Sequence, residues 1–221
     1  MTPLPTGEEV AQAWREASPA AVHPELDNKG QAIIEASALN TLTDLLEGFS
    51  RHHPHTNRPA PFTILDYAAG PGRLSKHLAK HFGEVILVDT NPTFLALAAK
   101  DGPSNYRLLE VDAVPKVLPI VDVIVCVNLF LHLPAFTAGR LLALFAKSLE
   151  PDGLLALHIP IYDIGTTPAT WTAVGTWTPP MLEASAGAAG LEVLEVSTNA
   201  GEYRGQPGPF HARLHYLRPM A

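Results

Sequence analysis

The stretch TILDYAAGPGRLSKHLAK, Thr63 to Lys80, joins an apolar run ending in an aspartate to two glycines and then to a helix-like pattern. Gly70 and Gly72 have no Cβ, so the backbone can turn sharply there and approach a ligand closely. The helix that follows offers unpaired N–H groups and a partial positive charge. Such a loop suits a nucleotide-like ligand. A Gly-x-Gly pair by itself also serves ordinary strand-to-helix turns, so its neighbours must decide.

Around this stretch, short apolar runs alternate with helical ones. Strands are expected at Phe62–Tyr67, Glu84–Val88, Tyr106–Val111, Val121–Val127 and Leu154–Ile159, with helices at Leu74–His81, Thr93–Ala99 and Ala135–Leu149. Runs buried on both faces and separated by helices indicate a parallel sheet covered on both sides, an α/β fold. The end of the chain differs. TPPMLEASAGAAG reads as a helix with Thr178 as its cap and Pro179 in its first turn. LEVLEVST and FHARLHYLRP read as two strands joined by a polar loop with no room for a crossover helix, so they should pair antiparallel.

Residues 1–59 read as a helical arm, with residues 60–221 as the main domain. Val10 and Trp14 fall four apart on one helix face. Ile33, Ile34, Leu39, Leu42, Leu45, Leu46 and Phe49 follow the spacing of an amphipathic helix over Lys29–Ser50. RHHPHTNRPAP, with three prolines, reads as a linker.

With 47% hydrophobic and 17% charged residues in 221, the chain can build a real core. A net charge of -7 without a Lys/Arg-rich run argues against a nucleic-acid partner. Cys126, the single cysteine, lies inside VDVIVCVNLF and reads as a small buried hydrophobe. The opening MTPLPTGEEV has neither a basic start nor an apolar stretch, and no run is long enough to span a bilayer. The expectation is a soluble cytoplasmic protein without a membrane partner.

Polar residues stand at successive strand ends. Asp89 ends the second strand in VILVDTNP, 23 positions after Asp66, where a carboxylate can accept from both hydroxyls of a ribose. Asp112 follows the third strand and Asn128 ends the fourth. With these residues the sequence resembles the class I S-adenosylmethionine (SAM)-dependent methyltransferases. The resemblance rests on ILDYAAGPG, LVDTNP, VDAVP, VNLFLHL and LEPDGLLAL, in family order, from about Phe62 to the C-terminus. It implies a Rossmann-like seven-stranded, mostly parallel sheet with an antiparallel last strand, under an N-terminal helical cap.

The resemblance also assigns roles. Asp66 would reach the amino group of the methionine part of SAM, lined by the backbone at Ala68, Gly70 and Gly72. Asp89 would hold the ribose, with Thr90 beside the adenine. Asp112 and the backbone of Ala113 would take the adenine, and Asn128 would face the sulfonium. S-adenosylhomocysteine (SAH) would be the product. Ala68 departs from the family's glycine, at little cost if φ is negative and more if it is positive. The Gly-x-Gly-x-x-Gly pattern of NAD folds would need glycine where Ser75 stands.

Methyl transfer requires an aligned, desolvated nucleophile, and a hydroxyl usually needs a base. His132, four residues beyond Asn128, is the first candidate base; the alternative is a histidine that orients its loop. His158 and Tyr162 run off the fifth strand, with Asp163 beside Tyr162, and could contact the acceptor. His52, His53 and His55 fall in the proline-broken linker and read as solvated, so no metal is expected. Trp171 and Trp177, with Trp14, either wall an aromatic pocket or pack the cap. The expected function is methylation of a small, fairly apolar acceptor of secondary metabolism, oxygen before nitrogen. The rival is a non-catalytic SAM-binding or assembly module. The sequence permits a homodimer without requiring one.

Overall fold

The computed structural model describes residues 6–17, 28–53, 61–100, 102–112, 115–159, 177–196, 200–203, 206–211 and 214–220. Five parallel strands form the body of the sheet: β1 (Thr63–Tyr67), β2 (Glu84–Asp89), β3 (Tyr106–Glu110), β4 (Val121–Val127) and β5 (Leu149–His158). Their spatial order is β3-β2-β1-β4-β5, continued by β9 (Leu214–Pro219) and β6 (Leu191–Glu195). β1 pairs with both β2 and β4, so the winding reverses there. A crevice opens at the carboxyl ends of strands where this happens, and ligands of such sheets bind in it. β9 runs antiparallel to β6, as the closing sequence predicts, and to β5, as the family resemblance implies.

The apolar runs become strands because both faces are covered. One face packs Leu65, Cys126 and Phe145 with helices α5 (Ala135–Ser148) and α6 (Pro179–Ala188). The other packs Ile64, Leu78 and Leu95 against α2 (Asn28–His52), α3 (Ser75–Leu78) and α4 (Pro92–Ala99). Thr178 caps α6, its hydroxyl accepting from Met181 N. Cys126 is fully buried.

Some boundaries move. The expected helix over Leu74–His81 narrows to Ser75–Leu78 with turns around it. The arm helix continues through Arg51 and His52, into the segment read as a linker. Both side chains reach Glu195, at 3.2 and 2.8 Å, and cations favour a helix C-terminus. His53 stacks on Phe49, while His55 lies outside the described residues. The polar connection before β9 carries a two-stranded ribbon, β7 (Ala200–Tyr203) with β8 (Gln206–His211). Glycine and proline lower strand propensity without forbidding a short ribbon outside the main sheet.

Candidate cofactor and acceptor site

The loop after β1 is held in the left-handed region three times: φ is 62° at Ala68, 55° at Gly70 and 76° at Gly72. The two glycines serve different needs. A Cβ on Gly72 would meet Ala98 Cβ at 2.8 Å, so glycine is what lets α4 pack against the loop. A Cβ on Gly70 would meet nothing within 4 Å, so its backbone faces open space. Ala68 has the positive φ that makes its methyl costly. Replacing it by glycine is expected to raise stability by up to about 1 kcal/mol in urea unfolding. A loss of stability would mean that the methyl's packing outweighs the strain.

Asp89 lies across from this loop. Its Oδ2 accepts from Gly70 N at 2.8 Å and its Oδ1 from Asn91 N at 2.9 Å. Burial raises its pKa, opposed by these N–H donors. Asp89, Thr90, Ala68, Gly70 and Asn128 all line one cavity of about 220 Å³. Asp66, Gly72, Asp112 and His158 are not among its walls. Asp66 is buried at 3% exposure and accepts from Ser75 Oγ at 2.6 Å. Asp112 is mostly exposed and pairs with Arg15 at 3.3 Å. Ala113, Tyr162, Asp163 and Trp171 lie outside the described residues.

Desolvation pushes the Asp66 carboxyl up to about 7, with Ser75 opposing and Asp89 adding. A raised acid pKa in the folded state means that the unfolded chain releases its proton first. Asp66 therefore costs stability progressively as pH rises from about 4 to about 7, and the full cost remains above that. Asp66→Asn is expected to gain stability relative to the wild type at pH 8 and not at pH 4. Equal differences at both values would rule out ionisation as the cause.

Another side of the cavity is built by the end of β4 and the turn that follows it. Asn128 leaves β4 with φ 59°, uncommon outside glycine and tolerated by asparagine. Its Oδ1 lies 2.6 Å from His158 Nδ1. A carbonyl oxygen only accepts, so the Nδ1 proton sits on His158. The turn Phe130–His132 then carries His132 into the cavity wall. Trp14, from α1 (Gly7–Glu16), meets the His132 ring edge-on with centroids 5.1 Å apart. Trp177 neither lines the cavity nor packs the cap as expected. It is 1% exposed, and its Nε1 donates to Phe130 O at 3.2 Å, so it braces the turn from the core.

Three comparisons bear on this geometry. A family model described as a methyltransferase domain matches residues 64–153. Over that stretch the chain is similar to methyltransferase domains. No curated protein matches it in sequence. Among solved structures, magnesium protoporphyrin IX methyltransferase from Synechocystis PCC 6803, solved with bound SAH, has a TM-score of 0.72 at 14% identity, covering 96% of this chain and 98% of that one. A SAM-dependent methyltransferase from Leishmania major gives 0.73 at 14% identity, over 96% and 82%. Mitomycin 7-O-methyltransferase gives 0.62 at 17% identity, over 95% and 60%.

The Synechocystis neighbour holds SAH, and the residues lining this cavity would fit such a ligand. Gly70 leaves open backbone where a ligand can lie close, and Asp89 presents a carboxylate to it. Among the described lining residues Asp89 is the single formal charge. Two parts of the site escaped the sequence reading. Arg15 donates to Thr90 O and Val111 O as well as to Asp112, and nothing in a lone arginine on a short helix signals that. Tyr67 borders the cavity, yet in sequence it is one more strand residue.

Proposed function

We propose that this methyltransferase transfers the SAM methyl group to the oxygen of a small, largely apolar acceptor, with His132 as the base. SAM supplies a methyl carbon already activated by a sulfonium, so the protein has chiefly to align and desolvate the nucleophile. Asp89 holds the ribose and the backbone at Ala68 and Gly70 the methionine part. His132 takes the hydroxyl proton as the methyl–oxygen bond forms, and Asn128 with His158 shapes the acceptor side. Residues 1–59 act as the cap over the domain of residues 60–221. Mitomycin 7-O-methyltransferase, a small-molecule O-methyltransferase by its name, shares the fold and supports an acceptor from secondary metabolism.

The observation that carries this reading is the cavity itself. It brings Asp89, Asn128 and His132 to one space whose remaining described side chains are uncharged. Calorimetric titration with SAM and SAH tests its cofactor half, and a labelled-methyl assay over hydroxyl and amine acceptors tests the rest. Micromolar binding of both, with transfer to hydroxyl acceptors, is expected. Absence of binding in folded protein would overturn it. Binding without transfer would favour a module that keeps SAM and moves nothing. The strained Ala68 and the engagement of Asp112 by Arg15 are what support that second reading.

A further inference from the structure

Asn91 is 1% exposed, and every hydrogen-bonding position of its side chain is used. Its Oδ1 accepts from Thr93 N at 2.9 Å and Phe94 N at 3.3 Å, capping the start of α4. Its Nδ2 donates to Trp14 O and Ala17 O, both at 3.0 Å, closing the end of α1. One amide therefore caps two helices. The carbonyls fix which end is nitrogen, so aspartate could replace only half of its function. The backbone of the same residue holds Asp89 Oδ1.

Helix α1 has ten residues, and helices shorter than about 12–15 residues are marginal alone. Its place depends on what it docks against. Its polar side reaches Asn91 and, through Arg15, the carbonyls of Thr90 and Val111 and the Asp112 carboxylate. Its apolar side puts Val10 and Trp14 into the cavity wall, with Trp14 on His132. These partners lie just beyond the ends of β2, β3 and β4. With α1 in place the cavity, about 220 Å³, is below the roughly 300–1,000 Å³ usual for ligand pockets.

We propose that Asn91 is a positioning residue for methyl transfer: it holds α1 as a strap across the site, and strap and cofactor stabilise one another. This rests on the SAM reading above. The physical basis is the shared residue. What orders Asp89 orders Asn91, and what orders Asn91 docks α1, so each ligand-side contact favours the closed strap and the closed strap favours the ligand. Val10 and Trp14 form part of the wall, so a ligand in the cavity meets α1 directly.

Asn91→Asp separates the two halves. A carboxylate still accepts from Thr93 and Phe94, and aspartate caps as well as asparagine. It cannot donate to Trp14 O and Ala17 O. Arg15→Met removes the remaining polar contacts of the strap and leaves Asn91 intact. Hydrogen exchange of residues 7–16 and 92–99, with and without SAH, is measured beside SAH affinity by calorimetry. In the wild type, SAH is expected to slow exchange in α1. Asn91→Asp is expected to speed exchange in α1 but not in α4, and to weaken SAH about tenfold, with Arg15→Met acting in the same direction. Unchanged α1 exchange in both variants, or a released α1 with unchanged SAH affinity, would overturn the strap. Wild-type protein that binds no SAH would overturn the cofactor reading itself, and it shows before any substitution is made.

Discussion

Asp89→Ala is expected to weaken both SAM and SAH by about 10²-fold or more, read by calorimetry. The carboxylate carries two tasks at once. It pins the glycine loop through Gly70 N and the start of the α4 cap through Asn91 N. Each oxygen keeps a second lone pair for a ribose hydroxyl. A hydrogen bond to a charged group contributes about 1.5–3 kcal/mol, so losing two accounts for the expected factor. Removing the loop's anchor adds to it. Asp89→Asn retains one acceptor and should fall between. Unchanged affinity would place the ribose elsewhere.

His132→Ala is expected to lower turnover of a hydroxyl acceptor by about 10² or more while SAH affinity holds. The geometry favours a local effect. His132 sits in a three-residue turn at the cavity wall, and Trp177 braces that turn from below through Phe130 O. The loop should therefore survive the substitution. Since Trp14 loses its ring partner, the α1 exchange measurement above serves as a control. A loss confined to cofactor affinity would assign His132 to holding the strap. An acceptor with a neutral amine needs no base, and full turnover with amines alone would shift the nucleophile to nitrogen.

The fold was legible because its signals are local. Buried parallel strands write themselves as unbroken apolar runs, and β4 emerges with the boundaries expected, Val121–Val127. Thr178 before two prolines marks a helix start whatever surrounds it, and α6 begins there. Legibility failed where a distant partner decides. The arm helix outlasts its expected end because Glu195 waits for Arg51 and His52 across the fold. Asn91 before Pro92 announces the cap of α4, yet its grip on α1 depends on residues more than seventy positions away.

Within the site the same division holds. The positions of the strands along the chain, the glycine loop and the polar residue at the end of each of β2 and β4 were determined by the sequence alone, since spacing and side-chain chemistry place them wherever such a sheet forms. Only the tertiary structure decided that Ala68 takes a positive φ, that Asp112 turns to Arg15, that Trp177 enters the core while Trp14 meets His132, and that α1 lies across the cavity. Those outcomes depend on which surfaces meet. A short helix with little stability of its own takes its position from the strand ends that bind it, and no pattern within its ten residues names them.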